Sequence, residues 1–152
     1  MSNRTYRYYE GEPLFPFGFG LSYTQFKYDN LNFSEKIDAG NPLQVTVKVS
    51  NTGNRAGDEV VQLYLQDLKA STPRPMRQLE GFERIHLEAG ETKEVSFTIS
   101  PRQFSIIDKN EKRTIESGDF LISVGGQQPG LSPALKASST DVISRKLKIK
   151  GR

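Results

Sequence analysis

His86 is the single histidine of this 152-residue chain, which has no cysteine and no tryptophan. A histidine-based triad would have to use it, and no serine or cysteine nucleophile motif accompanies it. It falls in "ERIHLE" on the face opposite Ile85 and Leu87, the place of a water-facing strand residue. Without cysteine there are no disulfides and no thiolate metal sites, and the redox compartment stays unread. "DKNEK", residues 108 to 112, brings Asp108, Asn110 and Glu111 together. It lacks the remaining ligands of a twelve-residue calcium loop and the glycine at its sharp turn, so a hairpin turn is expected, with no metal and no cofactor. The acid pairs Asp58-Glu59 and Glu80/Glu83 flank strand-like runs, where carboxylates ordinarily face water. Cleaving a glycoside needs two carboxyls about 5–10 Å apart across a sugar, and no spacing here fixes such a pair. The glycines of "FGFG" follow no strand and precede no amphipathic helix, so they make no phosphate cradle. Catalysis by the chain itself is not expected.

Aromatic rings are the remaining chemistry, and they are unevenly spread. Eight of the fifteen, Tyr6, Tyr8, Tyr9, Phe15, Phe17, Phe19, Tyr23 and Phe26, lie in the first 26 residues, among the prolines and glycines of "PLFPFGFGLSYTQF". Two uses are open. Rings held on a fixed extended backbone can stack on sugar faces, or they can wedge between this chain and a neighbouring body. In a wedge each buried ring contributes roughly 1.5–3 kcal/mol. Sugar platforms usually expose two or three rings on a flat sheet face, whereas eight rings within so short a stretch favour the wedge.

The elements that would position these groups are strands. Period-two alternation dominates after residue 25. Leu43, Val45, Val47 and Val49 share one face, as do Val61, Leu63 and Leu65, then Val95, Phe97 and Ile99, then Phe120, Ile122 and Val124. Tyr64 falls on the face opposite Val61, Leu63 and Leu65, which makes it the candidate solvent-facing sugar contact. Phe26 and Tyr28 are out of phase with Leu31 and Phe33, which predicts a bulge at Asp29-Asn30. "LEGFERIHLEAGE" slips in the same way at Gly81. Turn residues at Asn51–Asn54, Ala89–Glu91, Asp108–Asn110 and Ser117–Asp119 separate the runs. Seven or so short strands without helical periodicity predict an all-β antiparallel sandwich. Residues 127 to 141 read as a long loop, and 1–24 as a docking or linker segment ahead of a 25–152 sandwich.

The length suits one domain, and no apolar run approaches the ~20 residues of a membrane span. No charged-then-apolar leader is present, so no export signal is read. The net charge of +3 comes from the tail, where Arg145, Lys146, Lys148, Lys150 and Arg152 stand without an acid; less these five, the chain carries −2. Leu147 and Ile149 alternate with the lysines, so the tail reads as a half-buried strand whose lysines guard an edge. Neither nucleic acid nor membrane is expected as a partner.

Four stretches together resemble a known family. "RTYRYYEGEPLFPFGFGLSYTQF" resembles the junction into the C-terminal fibronectin type III-like domain of glycoside hydrolase family 3 enzymes. "VSNTGNRAGDEVVQLYLQD", "RPMRQLEGFERIHLEAGETKEVSFTIS" and "GDFLISVGG" are similar to successive strands of that domain, in consistent order from Arg4 to Gly126. The resemblance implies an immunoglobulin-like or fibronectin type III-like sandwich serving as a non-catalytic accessory domain of a β-glucosidase or β-xylosidase. Its alternative is a carbohydrate-binding module that holds polysaccharide. The family's nucleophile and acid/base lie on preceding domains, so no catalytic role passes to Asp58, Glu59, Asp67 or Asp108. "FSIID" at 104 to 108 is closer to xylosidase-type or mixed-specificity members. The implied partners are the catalytic domains of the same parent, itself periplasmic or secreted. The start at Met1 inside the junction motif marks the chain, on this reading, as an excised or truncated piece. Docking is expected to use Tyr6, Tyr8, Tyr9, Phe15, Phe17, Phe19 and Tyr23, with Pro73, Arg74 and Pro75 of "STPRP" reaching a partner's carboxylate. An isolated piece would expose the leader, fold it back onto its own sheet, or form a homodimer through it.

Overall fold

The computed structural model describes residues 5–71, 74–130 and 139–151. Its centre is strand β3 (Leu43–Asn51), where Leu43, Val45, Val47 and Val49 are buried and the residues between them face outward. β3 pairs antiparallel with β1 (Phe26–Asn32) and β6 (Thr92–Ile99) in a three-stranded sheet. Facing it is a five-stranded sheet in the order β2 (Lys36–Asp38), β10 (Val142–Lys150), β9 (Gly118–Gly125), β4 (Gly57–Asp67), β5 (Gln78–Leu87). Its pairings are antiparallel except β2 with β10, which run parallel. Two short strands, β7 (Ile106–Ile107) and β8 (Arg113–Thr114), form a separate hairpin, and a single helical turn, α1 (Thr5–Tyr8), stands at the front. The predicted all-β sandwich is therefore the observed fold.

The core follows from the alternation. Inward β3 side chains meet Val61, Leu63, Phe120, Ile122, Val124, Leu147 and Ile149 of the opposite sheet. Phe104 closes one end edge-to-face on Phe120, with centroids 5.6 Å apart. Burial of each large side chain contributes about 1.5–3 kcal/mol. The tail is the half-buried strand expected of it, with Leu147 and Ile149 in the core and Lys146, Lys148 and Lys150 outside.

Both predicted phase slips are real. The β1–β3 register shifts between Asp29 and Asn32, with Asn30 in the left-handed region at φ 53°. Opposite β4, Leu63 pairs Gly81 but Tyr64 pairs Leu79, so Glu80 is the extra residue of a bulge. The β3–β4 turn is fixed from within by Asn51, which is buried. Its Oδ1 accepts from Thr24 Oγ1 (2.6 Å) and Gly53 N (3.1 Å), and its Nδ2 donates to Arg55 O (2.7 Å) and Leu87 O (3.1 Å). One side chain thus ties the end of the leader to both sheets.

Candidate functional site

The leader lies across the outer face of the five-stranded sheet and is latched there by backbone bonds. Phe17 N donates to Gln128 Oε1 and Gln128 N donates back to Phe17 O, each at 3.0 Å. Met76 N donates to Arg7 O (2.8 Å), and Leu79 N donates to the Tyr6 hydroxyl (3.2 Å). Gly18 permits the close approach: its φ is +80°, and a Cβ there would sit 2.6 Å from the Gln62 carboxamide. Pro16 is buried beside it.

Beneath this strap the outward-register residues Gln62 and Tyr64 of β4 are buried. The Tyr6 ring stacks on Phe17 at 4.3 Å and meets Tyr64 edge-on at 6.4 Å. Tyr64 is 1% exposed; its hydroxyl donates to Gln62 Oε1 (2.5 Å), and Gln62 Nε2 donates to Gly126 O (2.8 Å). Burial pushes the Tyr64 phenol up from its ordinary value. Tyr64 was expected to face solvent and touch sugar. It does point away from the core, but the leader covers that face and the ring is not open to solvent. Alternation identifies the face of a sheet and is blind to what lies on it.

The leader's other side faces out. Phe15 and Tyr23 are 72% and 92% exposed, and Leu14 and Leu21 are equally open. Phe82, 70% exposed, and Val60 are open on the sheet itself and line one cavity with Phe19 and Leu21. Phe15 and Phe19 lie 5.3 Å apart. A cavity of about 620 Å³ opens among Tyr6, Tyr9, Pro13, Phe15 and Phe17. A second, of about 410 Å³, runs between Phe19, Leu21, Val60 and Phe82. Of the predicted docking rings, Phe15 and Tyr23 face out, Tyr9 and Phe17 are partly open, Phe19 is half-buried, and Tyr6 is spent on the latch. Tyr8 belongs to a different, polar cavity. Phe82 and Val60 were missed. Their signal was an apolar residue in the outward register, beside Arg84 and His86 on β5 and Asp58 and Gln62 on β4.

The charged residues depart from expectation in three places. Arg74, expected to reach a partner's carboxylate, is occupied within the chain. Its Nη1 meets Asp67 Oδ2 at 2.7 Å and its Nη2 donates to Ser105 O at 2.6 Å. Pro75 is half-buried next to it, and Pro73 lies outside the described residues. Glu59 is buried rather than water-facing. Its Oε1 accepts from the Tyr28 hydroxyl (2.7 Å) and Thr140 Oγ1 (2.5 Å), joining the two sheets, and burial pushes its carboxyl up despite those bonds. Glu80 is half-buried at its bulge, and burial likewise pushes it up, offset in part by Gln103.

Asp58 and His86 are exposed, as expected. Asp58 Oδ1 meets His86 Nδ1 at 2.7 Å, which raises the imidazole, and hydrogen bonds from His86 and Arg84 hold the carboxyl down. Asp108 accepts from Asn110 N and Lys112 N and so shapes the hairpin turn read from "DKNEK". Among the described residues, no group of three or more His, Asp or Glu is placed to hold a metal ion, and no helix is long and apolar enough to cross a membrane.

The sequence pattern of the fibronectin type III-like domain matches residues 59–128. The chain is 42% identical over 151 residues to thermostable beta-glucosidase B of Acetivibrio thermocellus, covering 95% of this chain and 20% of that protein. It is 48% identical over 121 residues to a beta-xylosidase of Formosa agariphila, covering 79% of this chain and 17% of that protein. Its structure resembles part of the Listeria innocua beta-glucosidase solved with gluconolactone, at a TM-score of 0.81 and 32% identity over 95% of this chain and 19% of that one. The chain thus spans about a fifth or less of the relatives it matches.

Proposed function

Because this chain belongs to the fibronectin type III-like domains carried by family 3 β-glucosidases and β-xylosidases, we propose that it is an accessory domain whose leader docks and orients a parent's catalytic domains. The part matched is the fibronectin type III-like portion, so the catalytic residues of those enzymes lie outside it. The observation that carries the reading is the two-sided leader. Its inner side is consumed by the latch, while Leu14, Phe15, Leu21 and Tyr23 are exposed and Leu21 lines one cavity with Phe82 and Val60. Monomeric proteins seldom leave so many large apolar side chains together in water. The latch fixes the geometry of that surface before any partner arrives, which lowers the ordering cost of docking. The half-buried Tyr8 and the internally paired Arg74 are not part of it.

The test is reconstitution. The chain is supplied in trans to a catalytic part of a related β-glycosidase produced without this domain, and restored aryl-glycoside turnover is measured. The triple variant Phe15→Ser/Tyr23→Ser/Phe82→Ser should keep the unfolding free energy of the chain within about 0.5 kcal/mol of wild type, as befits exposed positions, and should lose the restoration. Equal restoration by wild type and triple variant would refute docking through this surface.

A further inference from the structure

The edge of a β-sheet carries a row of backbone N–H and C=O groups open to another strand, and soluble proteins shorten, bend or cap their edges accordingly. Among the described residues the two facing sheets have four edges, β1 and β6 in one and β2 and β5 in the other. Three of them are blunted. β2 is three residues long. β1 breaks register between Asp29 and Asn32, and its first amide, Phe26 N, donates to Ser139 O at 2.9 Å. β5 is bulged at Glu80, and side chains cap its backbone. Leu79 N donates to the Tyr6 hydroxyl (3.2 Å), Glu80 O accepts from Gln103 Nε2 (3.0 Å) and His86 O accepts from Lys93 Nζ (2.6 Å).

β6 has none of these devices. It runs for 8 residues in one unbroken register with β3, from Thr92 opposite Ser50 to Ile99 opposite Leu43. Among the described residues β3 is the one partner of its backbone, so its other row of N–H and C=O groups points away from the sheet. Thr92, Glu94, Ser96 and Thr98 are exposed along it. Its lysine does not guard the edge, because Lys93 Nζ is turned back to His86 O and to Glu91 Oε1. The rest, "VSFTIS" at residues 95 to 100, holds no charge, proline or glycine. Its β-branched and aromatic residues are of the kind that pairs strand to strand.

From this one unguarded edge we infer that β6 pairs antiparallel with β6 of a second copy of the chain, joining two three-stranded sheets into one of six strands. A strand paired antiparallel with itself has two-fold symmetry, and the assembly closes at two copies. The residues of β6 permit it. Directly opposed residues share a face of the sheet, so the axis passes through a residue and not between two. With the axis at Val95, Glu94 lies opposite Ser96 and Thr92 opposite Thr98; with it at Phe97, Val95 lies opposite Ile99 and Ser96 opposite Thr98. Neither register opposes like charges, whereas an axis at Glu94 would set carboxylate against carboxylate. Backbone hydrogen bonds supply most of the affinity in strand addition, and so small an interface makes a weak dimer. β6 belongs to the sheet opposite the one the leader covers, and the inference does not rest on docking.

The experiment is sedimentation velocity on the full 152-residue chain from about 5 to about 500 μM, with hydrogen exchange read at both ends of the series. A monomer–dimer equilibrium with a Kd of about 10–100 μM is expected. Alternate amides between Thr92 and Ile99 should exchange more slowly at the higher concentration, and those of β1 at the same rate. Ser96→Glu/Thr98→Glu, at two exposed positions, sets like charges opposite each other whether the axis lies at Val95, Ser96 or Phe97. It should weaken the dimer at least about tenfold and leave the urea midpoint of the monomer where it was. Phe15→Ser/Tyr23→Ser/Phe82→Ser should dimerise like wild type. A chain that stays monomeric throughout the series would overturn the inference, as would β6 amides whose exchange ignores concentration. A dimer kept by the glutamate variant and lost by the serine variant would assign the association to the leader and overturn it equally.

Discussion

Glu59 is the residue whose chemistry differs most from its place in the sequence. It occupies the inward register of β4 with Val61 and Leu63, near the end of the sandwich, and bonds to Tyr28 on the facing sheet and to Thr140 ahead of β10. Burial holds its carboxyl above the ordinary 4.5. A group whose folded-state pKa is raised contributes stability that is complete below its unfolded value, here near 4.5, and is lost as pH rises through the folded value. Glu59→Gln keeps an oxygen for both hydroxyls and does not ionise. The stability difference between variant and wild type should therefore move in the variant's favour between pH 4 and pH 8, as read by urea unfolding at both ends. A difference that stays constant across that range would mean that Glu59 does not titrate in this window. The tyrosine partner does not confuse the reading, since burial pushes the Tyr28 phenol far above the range studied.

At the scale of elements, the leader is a strap that depends on one glycine. Strands β4 and β9 end their shared ladder at Gln62 and Gly125, and just beyond it Gln128 returns to exchange two bonds with Phe17. Gly18 follows in a conformation that costs an L-residue about 1–2 kcal/mol, with the Gln62 carboxamide where a side chain would be. Gly18→Ala should release the strap while the sandwich stays folded. Hydrogen exchange at the Gln128 amide would speed up, and the Tyr64 ring would become accessible to solvent quenchers. Amides of β3 should exchange as before. Unchanged protection at Gln128 would show that the strap does not need this glycine.

For the whole molecule, one side of the strap covers the sandwich and the other turns large apolar side chains to solvent. Leu21 of the leader and Val60 and Phe82 of the sheet, far apart in sequence, line one cavity, and the latch brings them together. Removing residues 1–20 would reach into the sandwich itself. It would uncover Tyr64 and Gln62 and leave Gln128 without its partner, at a cost of about 2–4 kcal/mol from lost ring burial and orphaned polar groups. The truncated chain should unfold at correspondingly lower urea yet remain cooperative, because the core residues of both sheets are untouched. A midpoint equal to that of the full chain would show that the strap contributes nothing to the sandwich.

Period-two alternation in "LQVTVKVS" and "DFLISVGG", the slips at Asp29-Asn30 and Gly81, and the turn residues between them were sufficient by themselves to determine the two-sheet fold and its core face. These are local properties: a strand's inward set is written every second residue, and a bulge appears as a broken phase. The tail was legible for the same reason. The unequal ring distribution likewise announced a segment unlike the rest. What only the tertiary structure decided was which face of each ring is used. Tyr64 lost its solvent because the leader folds across it, Arg74 lost its partner role because Asp67 lies within reach, and Glu59 lost its water because Tyr28 and Thr140 converge on it. Phe82 and Val60 joined the outer surface, and Arg7 came to face the bulge at Glu80, through the same strap. These outcomes depend on contacts between residues distant in the chain, whose meeting is set by packing and carries no periodic mark in the sequence.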